Sequence, residues 1–217
     1  MDIFSVYAPI MKRFRGRRFA LFRDLVKPLR SDSLLDVGGY PGTWTAHEPV
    51  VGRIDCLNID ADAAAWDAAS APEHHLSMVA GNGCDLAYRD RSYDIVFSNS
   101  VIEHVGGWRE QQDFAREVRR VGDGLWIQTP AFECPIEPHF IAPLIHYLPV
   151  KWRYALVRWI TPWGWLQRPD RKMVREMVDN IRLLTKREFS ELFPDCEILT
   201  ERMLGVIPKS YVAYRKR

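Results

Sequence analysis

The chain has 217 residues, 47% of them hydrophobic and 27% charged, with a formal net charge of +2. That length suits one compact domain with a sizeable core, and the composition is that of an ordinary globular protein rather than a disordered or fibrous one. So small a net charge does not by itself call for nucleic acid. Cys56, Cys84, Cys134 and Cys196 form no CxxC pair, which argues against a zinc ribbon and a disulfide framework. No charged-then-apolar leader and no run of about 18 apolar residues is present, so a cytoplasmic location without a spanning helix is expected. Positive charge gathers at Lys12, Arg13, Arg15, Arg17, Arg18 and Arg23. It reads first as a solvated helix face, with an anionic substrate or a membrane surface as alternatives.

In chain order, Phe19, Phe22, Leu25 and Val26 recur at helical spacing and Pro28 closes the pattern. Leu34–Val37 is a short apolar run that stops at Gly38 and Gly39, as a buried parallel strand entering a tight loop would. A helix is expected after that loop. Ile54–Ile59 reads as a second strand, Ala61–Ala71 as a helix, His75–Ala80 as a third strand and Tyr93–Ser98 as a fourth. Gln111–Val121 is an amphipathic helix with Phe114, Ala115 and Val118 on one face. Gly122–Gly124 reads as a turn and Leu125–Thr129 as a fifth strand. Cys134–Leu166 is rich in proline and aromatic residues. Met173–Leu184 looks helical, Thr185–Leu192 a further helix with a capping box, and Glu197–Met203 and Tyr211–Tyr214 an antiparallel closing pair.

Strands alternating with helices imply a parallel α/β sheet. In such sheets ligands bind beyond the carboxyl ends of the strands. The glycine loop, Asp60, the Asn82 turn and Ser98–His104 all fall there. The loop Asp36-Val37-Gly38-Gly39-Tyr40-Pro41-Gly42 does not have the G-x-G-x-x-G spacing of a dinucleotide site.

On these segments the chain resembles the class I S-adenosylmethionine (SAM)-dependent methyltransferases, in particular their type 11 group. Asp36, Gly38 and Gly42 match that family's Asp-x-Gly-x-Gly-x-Gly loop, with Tyr40 where the middle glycine usually stands and Gly39 one place earlier. Asp60 matches the acidic residue after the second strand that binds the ribose hydroxyls, Asn58 being the alternative frame. Gly81–Phe97 resembles the adenine-side turn and the strand after it, with Asn82, Gly83, Cys84 and Asp85 as the contacts. Ser98 to Val105 resembles the exit of the fourth strand, where Ser98 and Asn99 would line the methionine end. The resemblance covers about residues 30–130.

The family implies a doubly wound, Rossmann-like, mostly parallel seven-stranded sheet. It also implies an N-terminal helical cover (1–30) and an inserted helical and aromatic lid (134–184) within one domain, and SAM as cofactor. A cation over the cofactor's carboxylate is expected at Arg17 and Arg18.

Two histidines fall on the same face, His104 after the fourth strand and His139 after the fifth. Either suits a general base, since histidine titrates near neutral pH. Glu103 and Glu137 are candidate substrate contacts. No carboxylate cluster is evident from spacing, so no metal is expected. Trp152, Leu156 and Trp159 at helical spacing, with Lys151, Arg153 and Arg158 between them, fit a packed lid, an interfacial helix in peripheral membrane contact, or an aromatic-lined pocket.

The leading reading is methylation of oxygen on a small molecule, sugar or lipid-linked acceptor. The alternatives are an inactive cofactor-binding accessory module and a nucleic-acid methyltransferase. The absence of an Asn/Asp-Pro-Pro-Tyr/Phe motif weighs against the latter.

Overall fold

The computed structural model describes residues 16–60 and 75–217. The helix expected over Ala61–Ala71, together with His74, Lys12, Arg13 and Arg15, lies outside the described residues. Residues 16–26 are helical (α1). The strands are β1 (Ser33–Val37), β2 (Arg53–Asn58), β3 (Leu76–Ala80), β4 (Tyr93–Asn99), β5 (Gly122–Pro130), the short pair β6 (Ile136–Glu137) and β7 (Ala142–Pro143), β8 (Glu197–Met203) and β9 (Ile207–Arg215). The remaining helices are α2 (Trp108–Val121), α3 (Val150–Ile160), α4 (Pro162–Gln167), α5 (Arg171–Asp179) and α6 (Lys186–Leu192).

Seven strands form one sheet in the order β3-β2-β1-β4-β5-β9-β8. The first five run parallel; β9 is antiparallel to β5, and β8 to β9. Because both faces are covered, the central strands are nearly continuous apolar runs, and their alternation sorts residues between two cores. Leu35, Val37, Val96, Leu125 and Ile127 pack against Phe114 and Val118 of α2 and Phe189 of α6. Leu34, Ile54, Cys56, Phe97 and Trp126 pack on the other side against Phe22 and Val26 of α1 and against Trp44.

Four expectations are corrected. No α-helix follows the glycine loop: the described residues between β1 and β2 hold only a 3-10 turn over Pro41–Thr43. The span is short and interrupted by Pro41 and Pro49, each incapable of donating a helical hydrogen bond. Gly122 and Gly124 are not a turn but the start of β5. The strand leaves α2 directly, and a Cβ on Gly122 would stand 2.7 Å from the Val96 side chain, so glycine is there for close approach. The helix expected through Leu184 stops at Asp179, and Leu184 instead bridges Ala131 at the end of β5. The last strand begins at Ile207, four residues earlier than expected. The capping box of α6 forms as read: Thr185 Oγ1 accepts from the Glu188 amide, and Glu188 Oε2 accepts from the Thr185 amide.

The insertion between β5 and α6 has a core of its own, built on Phe140, Ala142, Ile145, Val157, Trp163, Val174 and Val178. Among the described residues no helix is long and apolar enough to cross a membrane.

Candidate functional site

The strand order reverses at β1, which pairs β2 on one side and β4 on the other. The carboxyl ends of β3, β2, β1 and β4 therefore stand side by side, and the crevice beyond them is where such sheets bind ligands.

At the end of β1, the Gly38 amide donates to the Leu57 carbonyl at 2.7 Å, extending the ladder by one residue. Gly38 has φ of +78°, and a Cβ there would come within 2.5 Å of the Val101 side chain. A side chain is thus excluded twice, by conformation and by space. The loop after β1 thereby abuts the segment that follows β4. Asp36 turns back under the loop. Its Oδ2 accepts from Trp44 Nε1 at 2.7 Å, and a Cβ on Gly39 would sit 1.8 Å from that same oxygen. Only 2% of Asp36 is exposed, and burial pushes its pKa up to about 7 against the opposing Trp44 hydrogen bond. Tyr40 and Gly42 face outward, and nothing lies within 4 Å of where a Gly42 Cβ would be. Trp44 went unassigned in the sequence: eight residues across a glycine turn is not a spacing that any periodic pattern flags.

At the end of β2, Asn58 is half-buried and Asp60 is exposed in the following turn. At the end of β3, Asn82 Oδ1 accepts from the Cys84 amide at 2.9 Å and the Asn82 carbonyl from the Asp85 amide at 3.0 Å. This tight turn is clamped on the sheet, since a Gly83 Cβ would be 2.8 Å from both Phe114 and Val37. Asn82 and Asp85 are exposed and Cys84 is half-buried.

At the end of β4, Ser98 is buried and its hydroxyl donates to the Val37 carbonyl at 2.8 Å, tying β4 to β1. Asn99 Oδ1 accepts from Arg18 Nη1 at 2.8 Å. The Arg18 guanidinium also bonds Gln128 and forms an ion pair with Glu201 at 2.8 Å. Arg18 thus pins α1 to β4, β5 and β8, while Arg17 is exposed.

Directly after β4, Ile102–His104 form a 3-10 turn. Glu103 is fully buried; its Oε2 accepts from Thr129 Oγ1 at 3.0 Å, and its Oε1 has no partner among the described residues. Burial raises its pKa to about 7. His104 Nδ1 lies 3.2 Å from the Asn180 carbonyl, and its Nε2 lies 3.1 Å from His139 Nε2. His139 Nδ1 lies 2.6 Å from Glu137 Oε1, and Glu137 Oε2 accepts from the Phe140 amide at 2.7 Å. Burial, then the His139 charge, hold the His104 pKa down. Burial works the same way on His139, but Glu137 and Glu103 outweigh it and its pKa is raised. The insertion is fastened here, since the Arg182 amide donates to the Glu103 carbonyl at 2.8 Å and Gln111 Nε2 bonds both the Ile102 and Arg182 carbonyls.

Behind His139 the insertion encloses a cavity of about 300 Å³, lined among others by Phe132, Glu137, Phe140, His146, Arg153 and Arg182. Two side-chain atoms of its lining residues, His146 Nδ1 and Arg153 Nε, are buried without partners among the described residues. A more open cleft of about 550 Å³ borders the amino ends of β4 and β5, far from these groups. Its charges satisfy one another, as in the Arg119–Asp195 pair at 2.6 Å.

Residues 35–123 match the family described as "Methyltransferase domain". A curated relative, an uncharacterized methyltransferase of Mycolicibacterium vanbaalenii, is 32% identical over 119 residues, 54% of this chain and 46% of its own. The chain thus spans about half the length of that relative. Among solved structures, geranyl diphosphate C-methyltransferase from Streptomyces coelicolor, in complex with Mg2+, geranyl diphosphate and S-adenosyl-L-homocysteine, superposes with a TM-score of 0.58. That match is 12% identical and covers 94% of this chain and 80% of the other. The N-methyltransferase NodS from Bradyrhizobium japonicum superposes with a TM-score of 0.56, 11% identity and 95% coverage of each. At these identities the likeness is one of fold. One neighbour's name specifies carbon and the other's nitrogen, so the fold does not select the acceptor atom.

Proposed function

We propose that this chain, whose residues 35–123 match the methyltransferase-domain family, binds SAM in the crevice over β3, β2, β1 and β4 and methylates an oxygen of a small molecule. One observation carries the reading. The four segments that resemble the family's motifs stand at adjacent strand ends, in the spatial order Asn82, Asp60, Gly38–Gly39 and Asn99.

The residues present suit the cofactor's parts. Gly38, Gly39 and Gly42 keep the loop backbone open to close approach. The exposed Asp60 carboxylate has two acceptor oxygens for a vicinal diol. The Asn82–Asp85 turn, clamped by Gly83, offers polar edges to an adenine ring. Asp36 lies buried beneath the loop, so it acts on the cofactor by shaping the loop backbone. Bound SAM supplies a methyl group on a positively charged sulfur, an activated electrophile.

The protein's task is then to hold the acceptor in line and keep water out. His104 and His139 serve the acceptor side. The Asn180 carbonyl and the Glu137 carboxylate accept from their Nδ1–H groups, which leaves the two Nε2 atoms, 3.1 Å apart, for the acceptor side. The cavity behind them suits the rest of a small acceptor. His146 Nε2 donates to the Phe132 carbonyl at 2.9 Å, which leaves Nδ1 of the neutral ring an acceptor, and Arg153 Nε–H is a donor without a partner among the described residues; both residues line the cavity.

Calorimetry with SAM and S-adenosylhomocysteine tests the reading: binding of both is expected, and binding of neither to folded protein refutes it. S-adenosylhomocysteine binding without turnover on a broad panel of hydroxylated acceptors would instead favour the accessory-module alternative. A lipid-linked acceptor is a second reading, favoured by the exposure of Trp152, Trp159 and Trp165 on α3 and α4. Rings of this kind settle at the headgroup level. It requires the protein to sediment with anionic vesicles and to lose that property in W152A/W159A.

A further inference from the structure

We propose that Glu103, His104 and His139 bind a divalent transition-metal ion of the zinc class. The argument begins with proton accounting. A carbonyl oxygen only accepts, so His104 Nδ1, 3.2 Å from the Asn180 carbonyl, carries the proton. A carboxylate also accepts, so His139 Nδ1, 2.6 Å from Glu137, carries the other. With both rings neutral, as metal binding requires, each has its lone pair on Nε2. The two Nε2 atoms face each other at 3.1 Å. Two acceptors at that separation repel unless a cation stands between or before them.

Glu103 completes the set. One of its carboxylate oxygens and one ring nitrogen from each histidine lie within 4.8 Å of one another. The side chain is wholly buried, and Oε1 has no partner among the described residues. An unsatisfied buried carboxylate oxygen is costly, and a cation removes the cost. With bonds of about 2.0–2.2 Å, the ligand atoms of a tetrahedral ion stand roughly 3.3 Å apart, close to the histidine spacing. The carboxylate moves inward from the edge of that range on binding.

The surroundings are those of a metal site. Metal-binding histidines usually donate their second ring N–H to a carboxylate or a carbonyl, as both do here. Thr129 orients Glu103 in the same way. Two nitrogens and one carboxylate select zinc, cobalt or nickel over magnesium or calcium. His104 is exposed, so one side of the ion stays open to an exogenous oxygen ligand. Resting on the methyl-transfer reading, that ligand is the acceptor hydroxyl. The ion lowers its pKa, its proton leaves to solvent, the oxygen–methyl bond forms and the methyl–sulfur bond breaks.

The test is a titration of tag-free, chelator-treated protein with Co2+, read by the visible d–d bands of a low-coordinate site and by displacement with Zn2+. One ion per chain is expected. H104Q and H139Q should abolish the bands, and E137Q, which leaves all three ligands in place, should weaken binding about 10–100-fold. Circular dichroism checks that each variant is folded. If folded wild type gives no such bands, or bands indifferent to H139Q and E137Q, the two histidines share a proton instead and the proposal fails. SAM calorimetry on the same metal-free protein keeps the readings apart. SAM binding without cobalt binding overturns only the metal, and cobalt binding without SAM binding overturns only the methyl transfer.

Discussion

Replacing Trp44 by Phe isolates the interaction beneath the glycine loop. The indole N–H donates to Asp36 Oδ2 at 2.7 Å, with both residues 2% exposed. Phenylalanine keeps an aromatic ring among Phe19, Phe22 and Phe97 but removes the donor. Two costs follow. The smaller ring leaves a packing defect of about 1–2 kcal/mol, independent of pH. Losing the hydrogen bond adds about 1.5–3 kcal/mol while Asp36 is ionised and about 0.5–1.5 kcal/mol once it is protonated, since the neutral carboxyl still accepts.

The pKa of Asp36 is about 7 in the folded protein against an ordinary 3.8. Between those values the folded state holds the extra proton, so the contribution of this group to stability declines as pH rises through that window and levels off above it. Without the Trp44 donor the folded pKa is higher still, and the decline continues further. W44F should therefore sit modestly below wild type at pH 5.5, and the gap should widen by about 1–2 kcal/mol by pH 8.5, the upper figure being all that the roughly 1.5 pH units above the wild-type pKa of about 7 allow. At roughly 2–4 °C per kcal/mol for a chain of this size, the widening is about 2–8 °C in melting temperature. Thermal melts of both proteins across this range give the difference directly. Glu103, raised to about 7, titrates in the same window but cancels between the two. In a D36N background the gap should not vary with pH. A W44F gap that is constant from pH 5.5 to 8.5 would refute the reasoning.

Gly39→Ala places a Cβ 1.8 Å from an oxygen that Trp44 holds fixed, and should cost about 1–3 kcal/mol by chemical denaturation while abolishing SAM binding by calorimetry. Arg18→Met leaves Glu201 without its partner at a site where the two side chains are only 11% and 13% exposed, so a loss of about 2–4 kcal/mol is expected in urea unfolding. A drop in cofactor affinity without that loss would return Arg18 to the expected place over the cofactor's carboxylate. Asp60→Asn is exposed and should leave the melting temperature unchanged, but raise the SAM dissociation constant about 10-fold or more through the weakened diol contact.

The sheet was legible because its strands are buried on both faces and end in glycine or polar turns, as at Val37–Gly38 and Ala80–Gly81. Strands β1 to β5 fall within a few residues of where the pattern sets them. The errors share a cause: a residue serving a distant partner looks locally like something else. Gly122 reads as a turn but serves an approach to Val96. The run to Leu184 reads as helix, but Arg182 and Leu184 are taken up by the main chain of Glu103 and Phe132. His104 and His139 were each identifiable as residues just past a strand end. Their meeting, and that of Glu103 with them, depends on the path of the insertion, which no spacing across 35 positions encodes.

Ala131 and Leu184 are bridge partners, and the Phe132 amide donates to the Leu184 carbonyl at 3.0 Å. Everything between them leaves and returns through one gate, with its own core inside. Such a segment behaves as an exchangeable cassette. The bridge is parallel, so the ends of any replacement must be joined by a crossover of about a dozen residues or more, as a whole cassette supplies and a tight turn cannot. Swapping the cassette would replace Glu137, His139 and the cavity at a stroke, while residues 36–99 kept their crevice. A new acceptor specificity could thus be gained by transplanting one contiguous stretch, without redesigning the sheet beneath it.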